Sequence, residues 1–136
     1  MIKKLVGFLT VLCMAFFIAG CSSTPDVSGT YLGLDDNNQP AGAIVLKNVG
    51  DNAYDCSYFI SNREQTKMEK DWAGRVVLNI EKKALEQDKI TPPELFFNKD
   101  YTSITRTARS FSGASVEYTY KKLSNSEMKQ YQHLFE

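Results

Sequence analysis

The chain has a single histidine, His133, one tryptophan, three cysteines and no excess of either charge, with 16 basic residues against 16 acidic ones. The shortage of histidine removes much chemistry. A serine or cysteine nucleophile needs a neighbouring base, and His133 lies close to the end of the chain on a stretch that reads as exposed helix. With no second histidine, no close cysteine pair and no acidic triplet at ligand spacing, there is no zinc signature. The run Asp-Asp-Asn-Asn-Gln-Pro-Ala-Gly at 35–42 is acidic, but it lacks the glycine and the distant glutamate of an EF-hand loop and reads as a hairpin loop. P-loop, dinucleotide and Gly-x-Ser-x-Gly motifs are missing. Ser110–Ser115 reads as a Ser/Gly turn between strands. The paired acids Asp35 and Asp36, or Glu69 and Asp71, fall in turns and polar stretches, unlike the acid and partner of a glycoside hydrolase. The balanced charge offers no footprint for nucleic acid or for acidic lipid. No enzymatic activity, metal or cofactor is expected.

Long apolar runs are scarce too, except at the start. Met1-Ile2-Lys3-Lys4 is a short positive segment, and Leu5 to Ala19 carries no charge. That stretch falls short of the roughly 20 apolar residues of a membrane span and fits a secretory signal peptide. It closes on Ile18-Ala19-Gly20-Cys21, which resembles the lipobox of bacterial lipoproteins: an aliphatic residue, two small ones, then the cysteine. The plain alternative is an ordinary signal peptide with a chance cysteine. The resemblance implies cleavage after residue 20, a diacylglycerol on the Cys21 thiol and a further acyl chain on its amine. Several chains together hold a protein on a bilayer. Ser22, where an inner-membrane lipoprotein would carry Asp, implies an outer-membrane anchor with the protein facing the periplasm; inner membrane or cell surface are the alternatives. Residues 1–20 are then the leader, 21–27 a polar tether and 28–136 the folded domain.

Removing the first 20 of 136 residues leaves 116, one domain's worth of chain. Lys3 and Lys4 leave with the leader, so 14 bases remain against 16 acids. With Cys13 removed and Cys21 acylated, Cys56 has no partner for an intramolecular disulfide. It shares one face of a strand with Tyr54, Tyr58 and Ile60, so it is expected to be buried as a small hydrophobe.

After residue 28 the chain reads as short alternating stretches separated by turns: Gly29–Leu34, Ala43–Val49, Ala53–Ser61, Arg75–Lys83, Pro92–Asp100, Tyr101–Arg109 and Ser115–Leu123. Val76, Leu78 and Ile80 share one face, and Asp71–Gly74 reads as a turn. Period-two alternation points to half-buried antiparallel strands. About eight of them in series predict a mainly β fold, a small antiparallel up-and-down barrel whose closure removes exposed edges; the alternative is a two-sheet sandwich. Ser28-Gly29-Thr30-Tyr31 resembles the first strand of lipocalin-like barrels, in which a glycine and an aromatic seal the floor. At the other end, Ser124 and Glu127 form a capping box with Leu123 and Met128 at the staple positions. Met128, Tyr131, Leu134 and Phe135 then recur at helical spacing. A C-terminal helix over about 125–135 is expected to pack on the sheet or across a barrel end.

One constellation is a candidate ligand site. Arg106 shares a strand face with Ile104, and Tyr118 shares one with Tyr120. Turned inward, Arg106 flanked by the two phenols would hold a carboxylate or phosphate, with apolar walls for an acyl tail. The polarity of Thr102–Arg109 favours instead an outer-edge strand with Arg106 in solvent. Function is therefore expected to be that of a lipid-anchored binding module or accessory protein, for instance an inhibitor, docking on another envelope protein. The alternative is a lipocalin-like carrier of a small amphiphile. A filled interior would favour the first and a cavity of several hundred cubic ångströms the second.

Overall fold

The computed structural model describes residues 24–88 and 93–136, so Cys21 and the leader lie outside the described residues. Eight strands follow one another: β1 Gly29–Leu34, β2 Pro40–Gly50, β3 Ala53–Ser61, β4 Met68–Asn79, β5 Ala84–Glu86, β6 Leu95–Phe97, β7 Ser103–Arg109 and β8 Ser115–Lys122. Each pairs antiparallel with the next, and β8 pairs back with β1 to close the barrel. The architecture is the up-and-down barrel and not the two-sheet sandwich.

Alternation assigns the faces. Tyr31, Ile44, Tyr54, Cys56, Ile104 and Tyr120 all join one interior core. In β4 the inward row is Val76 and Leu78, both 2 % exposed. Two local expectations fail here. Asp71–Gly74 is not a turn but the middle of β4. Tyr58 pairs with Trp72 and Phe59 with Lys70, which leaves Asp71 as the extra residue of a bulge, and one inserted residue blurs the period-two signal. Ile80 does not extend the inward row either; it sits in the turn after β4, 41 % exposed. That turn, with Lys83 at a φ of 52°, reverses the chain into β5, a strand too short at three residues to show a period of its own.

One end of the barrel is sealed by the segment before β1. Val27 is wholly buried. Its N–H donates to the Tyr54 hydroxyl at 3.1 Å, and its carbonyl accepts from the Tyr31 hydroxyl at 2.8 Å. The Tyr54 hydroxyl donates in turn to the Pro25 carbonyl at 3.4 Å. Two core phenols thus satisfy a backbone that would otherwise be buried with unpaired groups.

The C-terminal helix α1, Asn125–Tyr131, starts at the expected capping box: the Glu127 N–H donates to Ser124 Oγ at 3.2 Å, and the Ser124 N–H to Glu127 Oε1 at 3.0 Å. It tightens into a 3₁₀ turn over Gln132–Phe135. It packs on the outer wall. Leu32 and Ala43 point outward from β1 and β2 and form a second apolar cluster with Met68 and Leu134. The Phe59 and Phe135 rings meet edge to face at 5.2 Å.

Candidate functional site

The opposite end of the barrel is hollow. A cavity of about 350 Å³ sits there, floored by Ile44, Cys56, Val76 and Leu85. Tyr58, Leu95 and Arg106 line its walls, and Asp71, Trp72, Gln87, Pro93 and Glu94 border it above. Local sequence explains the space. Gly74 faces Cys56 across β3 and β4 and contributes no side chain; a Cβ there would lie 2.5 Å from the Trp72 ring, which folds over the gap. Beside β4, the next two strands β5 and β6 are only three residues each, so that wall is low.

Arg106 reaches the cavity from β7. Its Nη1 donates to the Tyr58 hydroxyl at 2.9 Å, and the guanidinium carbon lies 4.9 Å from the Tyr58 ring centre. The Tyr58 and Tyr120 hydroxyls are 3.3 Å apart, with their rings edge to face at 6.3 Å. Tyr120 fits because Gly33 on β1 leaves room; a Cβ there would come within 2.9 Å of its ring. Among the described residues Arg106 forms no ion pair; Arg75 with Asp55 at 3.2 Å and Lys82 with Glu86 at 3.9 Å lie elsewhere. Burial works against its charge, but the oxygens of Tyr58 and Tyr120 and the Glu94 carboxylate outweigh that and raise its pKa above the ordinary value. The guanidinium stays charged. Burial, and then the hydrogen bond with Tyr58, raise the Tyr120 phenol, which is therefore neutral. Burial pushes the Cys56 thiol up to about 12, so it lacks the thiolate that makes a cysteine reactive.

The expected site residues separate. Arg106 does not lie in solvent on an outer-edge strand, because β7 has neighbours on both sides: Arg106 pairs with Leu95 of β6 and Tyr118 of β8. Tyr120 is 4 % exposed and belongs to the same polar chain. Tyr118 stands opposite Arg106 in register but is 48 % exposed and does not line the cavity. The reason is that β1 pairs with β8 only at Tyr31–Lys122 and Leu32–Lys121, so the upper part of β8 stands clear of that neighbour. Tyr58 and Trp72 were not among the expected site residues. Tyr58's shared face with Tyr54 and Cys56 was the available signal; the bulge at Asp71 hid Trp72. Among the described residues no three His, Cys, Asp or Glu side chains are placed to hold a metal ion.

Comparison with protein-family models, with curated proteins and with solved structures found no match for this chain.

Proposed function

We propose that this protein is a lipid-anchored envelope protein, acylated at Cys21, whose barrel binds a small amphiphile with an anionic head group. The observation that carries this reading is a charged arginine, without an ion-pair partner among the described residues, half-buried in the wall of an apolar-floored cavity. Tyr58 takes one of the five guanidinium N–H donors, and a carboxylate accepts bidentately from such a fork. Ile44, Val76, Leu85 and Leu95 offer walls for an apolar tail. A volume of about 350 Å³ is near the lower limit for small-molecule sites, so the tail is short. The single acidic group of a carboxylate also suits a site with one cation among its described lining residues and two acids, Asp71 and Glu94, at its border. The protein acts by binding, from the periplasmic face of the outer membrane.

The only tryptophan of the chain, Trp72, borders the cavity and reports on it. Titration with octanoate should change Trp72 fluorescence saturably, and octanol should bind more weakly. Arg106→Gln should bring the octanoate affinity down to that of octanol, while Arg109→Gln on the same strand should leave it alone. Equal binding of acid and alcohol by the unaltered protein would falsify the anionic-head reading.

A second reading has one observation in its favour. Phe111 stands fully exposed at the tip of the β7–β8 hairpin, where an aromatic suits docking on another envelope protein. Phe111→Ser should then abolish capture of a crosslinked envelope partner and leave octanoate binding unchanged.

A further inference from the structure

We infer that the sealed end of the barrel docks on the anionic surface of the bilayer that carries the anchor, so that the cavity opens toward the aqueous compartment. This inference rests on acylation of Cys21. It is carried by where the chain becomes fixed. Pro25 is held by the Tyr54 hydroxyl, and Val27 is buried in the floor beneath Tyr31. Only four residue steps separate Cys21 from Pro25, a reach of at most about 14 Å fully extended. The nine residues of β3 run from the sealed end to the open one, about 30 Å along the strand. The tether is too short to bring the open rim to the membrane ahead of the floor.

Charge agrees with the geometry. Around the sealed end bases and acids nearly balance, with Lys47, Arg75, Lys82, Lys83, Lys99, Lys121 and Lys122 against Asp26, Asp51, Asp55, Glu81, Asp100 and Glu127. Around the open end acids are in excess, with Asp35, Asp36, Glu64, Glu69, Asp71, Glu86, Glu94 and Glu117 against Arg63, Lys67, Lys70, Arg106 and Arg109. Lysines close to an anionic leaflet are attracted within a Debye length and acids are repelled. The barrel thus carries its acidic pole on the side away from its anchor. Val49 and Ile80, 40 % and 41 % exposed at the sealed end, are placed to meet the head-group layer. A ligand then reaches Arg106 through water, not laterally from the membrane.

The test uses the acylated mature protein in phosphatidylcholine vesicles with or without phosphatidylglycerol, with a quencher attached to a lipid head group. Fluorophores are placed at Lys99→Cys on the sealed end or Glu64→Cys on the open end; buried Cys56 does not compete for the label. Quenching should be several-fold stronger at position 99 than at 64, and the contrast should shrink when phosphatidylglycerol is omitted or salt is raised. Acylated protein with equal quenching at the two positions, or stronger quenching at 64, overturns the docking inference and leaves the anchoring intact. A mass spectrum showing no acyl chain on Cys21, with no vesicle binding, overturns both.

Discussion

Cys56 is 2 % exposed and packs among the interior residues of β2, β3 and β4. A thiol reagent should label it only slowly in the native protein. Cys56→Ala should cost on the order of 1 kcal/mol, as loss of a small buried side chain does. Burial raises its pKa from 9.0 to about 12, and the phenols of Tyr31 and Tyr120 shift upward from 10.0 for the same first reason. The sign of the linkage follows. Above about pH 9 the unfolded thiol loses its proton and the folded one keeps it, so the unfolded state is favoured. Stability should be whole below pH 9 and fall steadily toward pH 12. Urea midpoints measured across that range check this; a flat profile would contradict the burial of all three groups. Tyr54 makes a different point. Tyr54→Phe keeps the ring but strands the buried N–H of Val27, a loss of about 1–3 kcal/mol. Tyr118→Phe, at an exposed site, should stay within about 0.5 kcal/mol.

The terminal helix contributes as an element through the outer wall it covers. A helix of seven residues with a short 3₁₀ extension is marginal alone in water, so its order comes from Leu134, Tyr131 and Phe135 lying over Leu32, Ala43 and Met68. Truncation after Leu123 should lower the melting temperature and expose that patch to an apolar dye. An unchanged melting curve with a lost envelope partner would instead make the helix a docking element. Ser124→Ala should cost about 1 kcal/mol. The Ser124 N–H also holds the Glu127 carboxyl below its ordinary 4.5; that contribution is present above 4.5 and lost as pH falls through the lower folded value. On β4, Gly74→Ala should displace the Trp72 indole and alter its emission, because the new Cβ would sit within 2.5 Å of the ring.

For the whole molecule, what matters is that the barrel's two ends differ. Val27 and the phenols of Tyr31 and Tyr54 fill one, while Gly74 and the three-residue strands β5 and β6 leave the other hollow. The proposed anchor at Cys21 would convert this polarity into a direction. Cys21→Ala should abolish acylation and leave the leader uncleaved by the lipoprotein peptidase, with both visible by mass spectrometry of the membrane fraction. An unmodified N-terminus downstream of residue 21 in the unaltered protein would remove the anchor from the picture.

By itself the sequence determined the features that depend on neighbours along the chain. Alternation in Tyr54–Cys56–Tyr58 set the inward face of β3, turn residues separated most of the strands, and Ser124 with Glu127 marked where the helix starts. Closure of eight consecutive hairpin-linked strands followed from the same local patterns, since an open sheet of that size would leave edges exposed. Only the tertiary structure decided the site. Whether Arg106 lies inside or outside depends on β6 arriving on one side and β8 on the other, contacts that strand polarity cannot report. Its link to Tyr58 spans 48 residues of sequence. The hollow itself is a balance of volumes: a glycine on β4, a tryptophan folded over it and two short strands beside it. Local sequence records the residue at each position, but only packing sums them into a filled end and an open one.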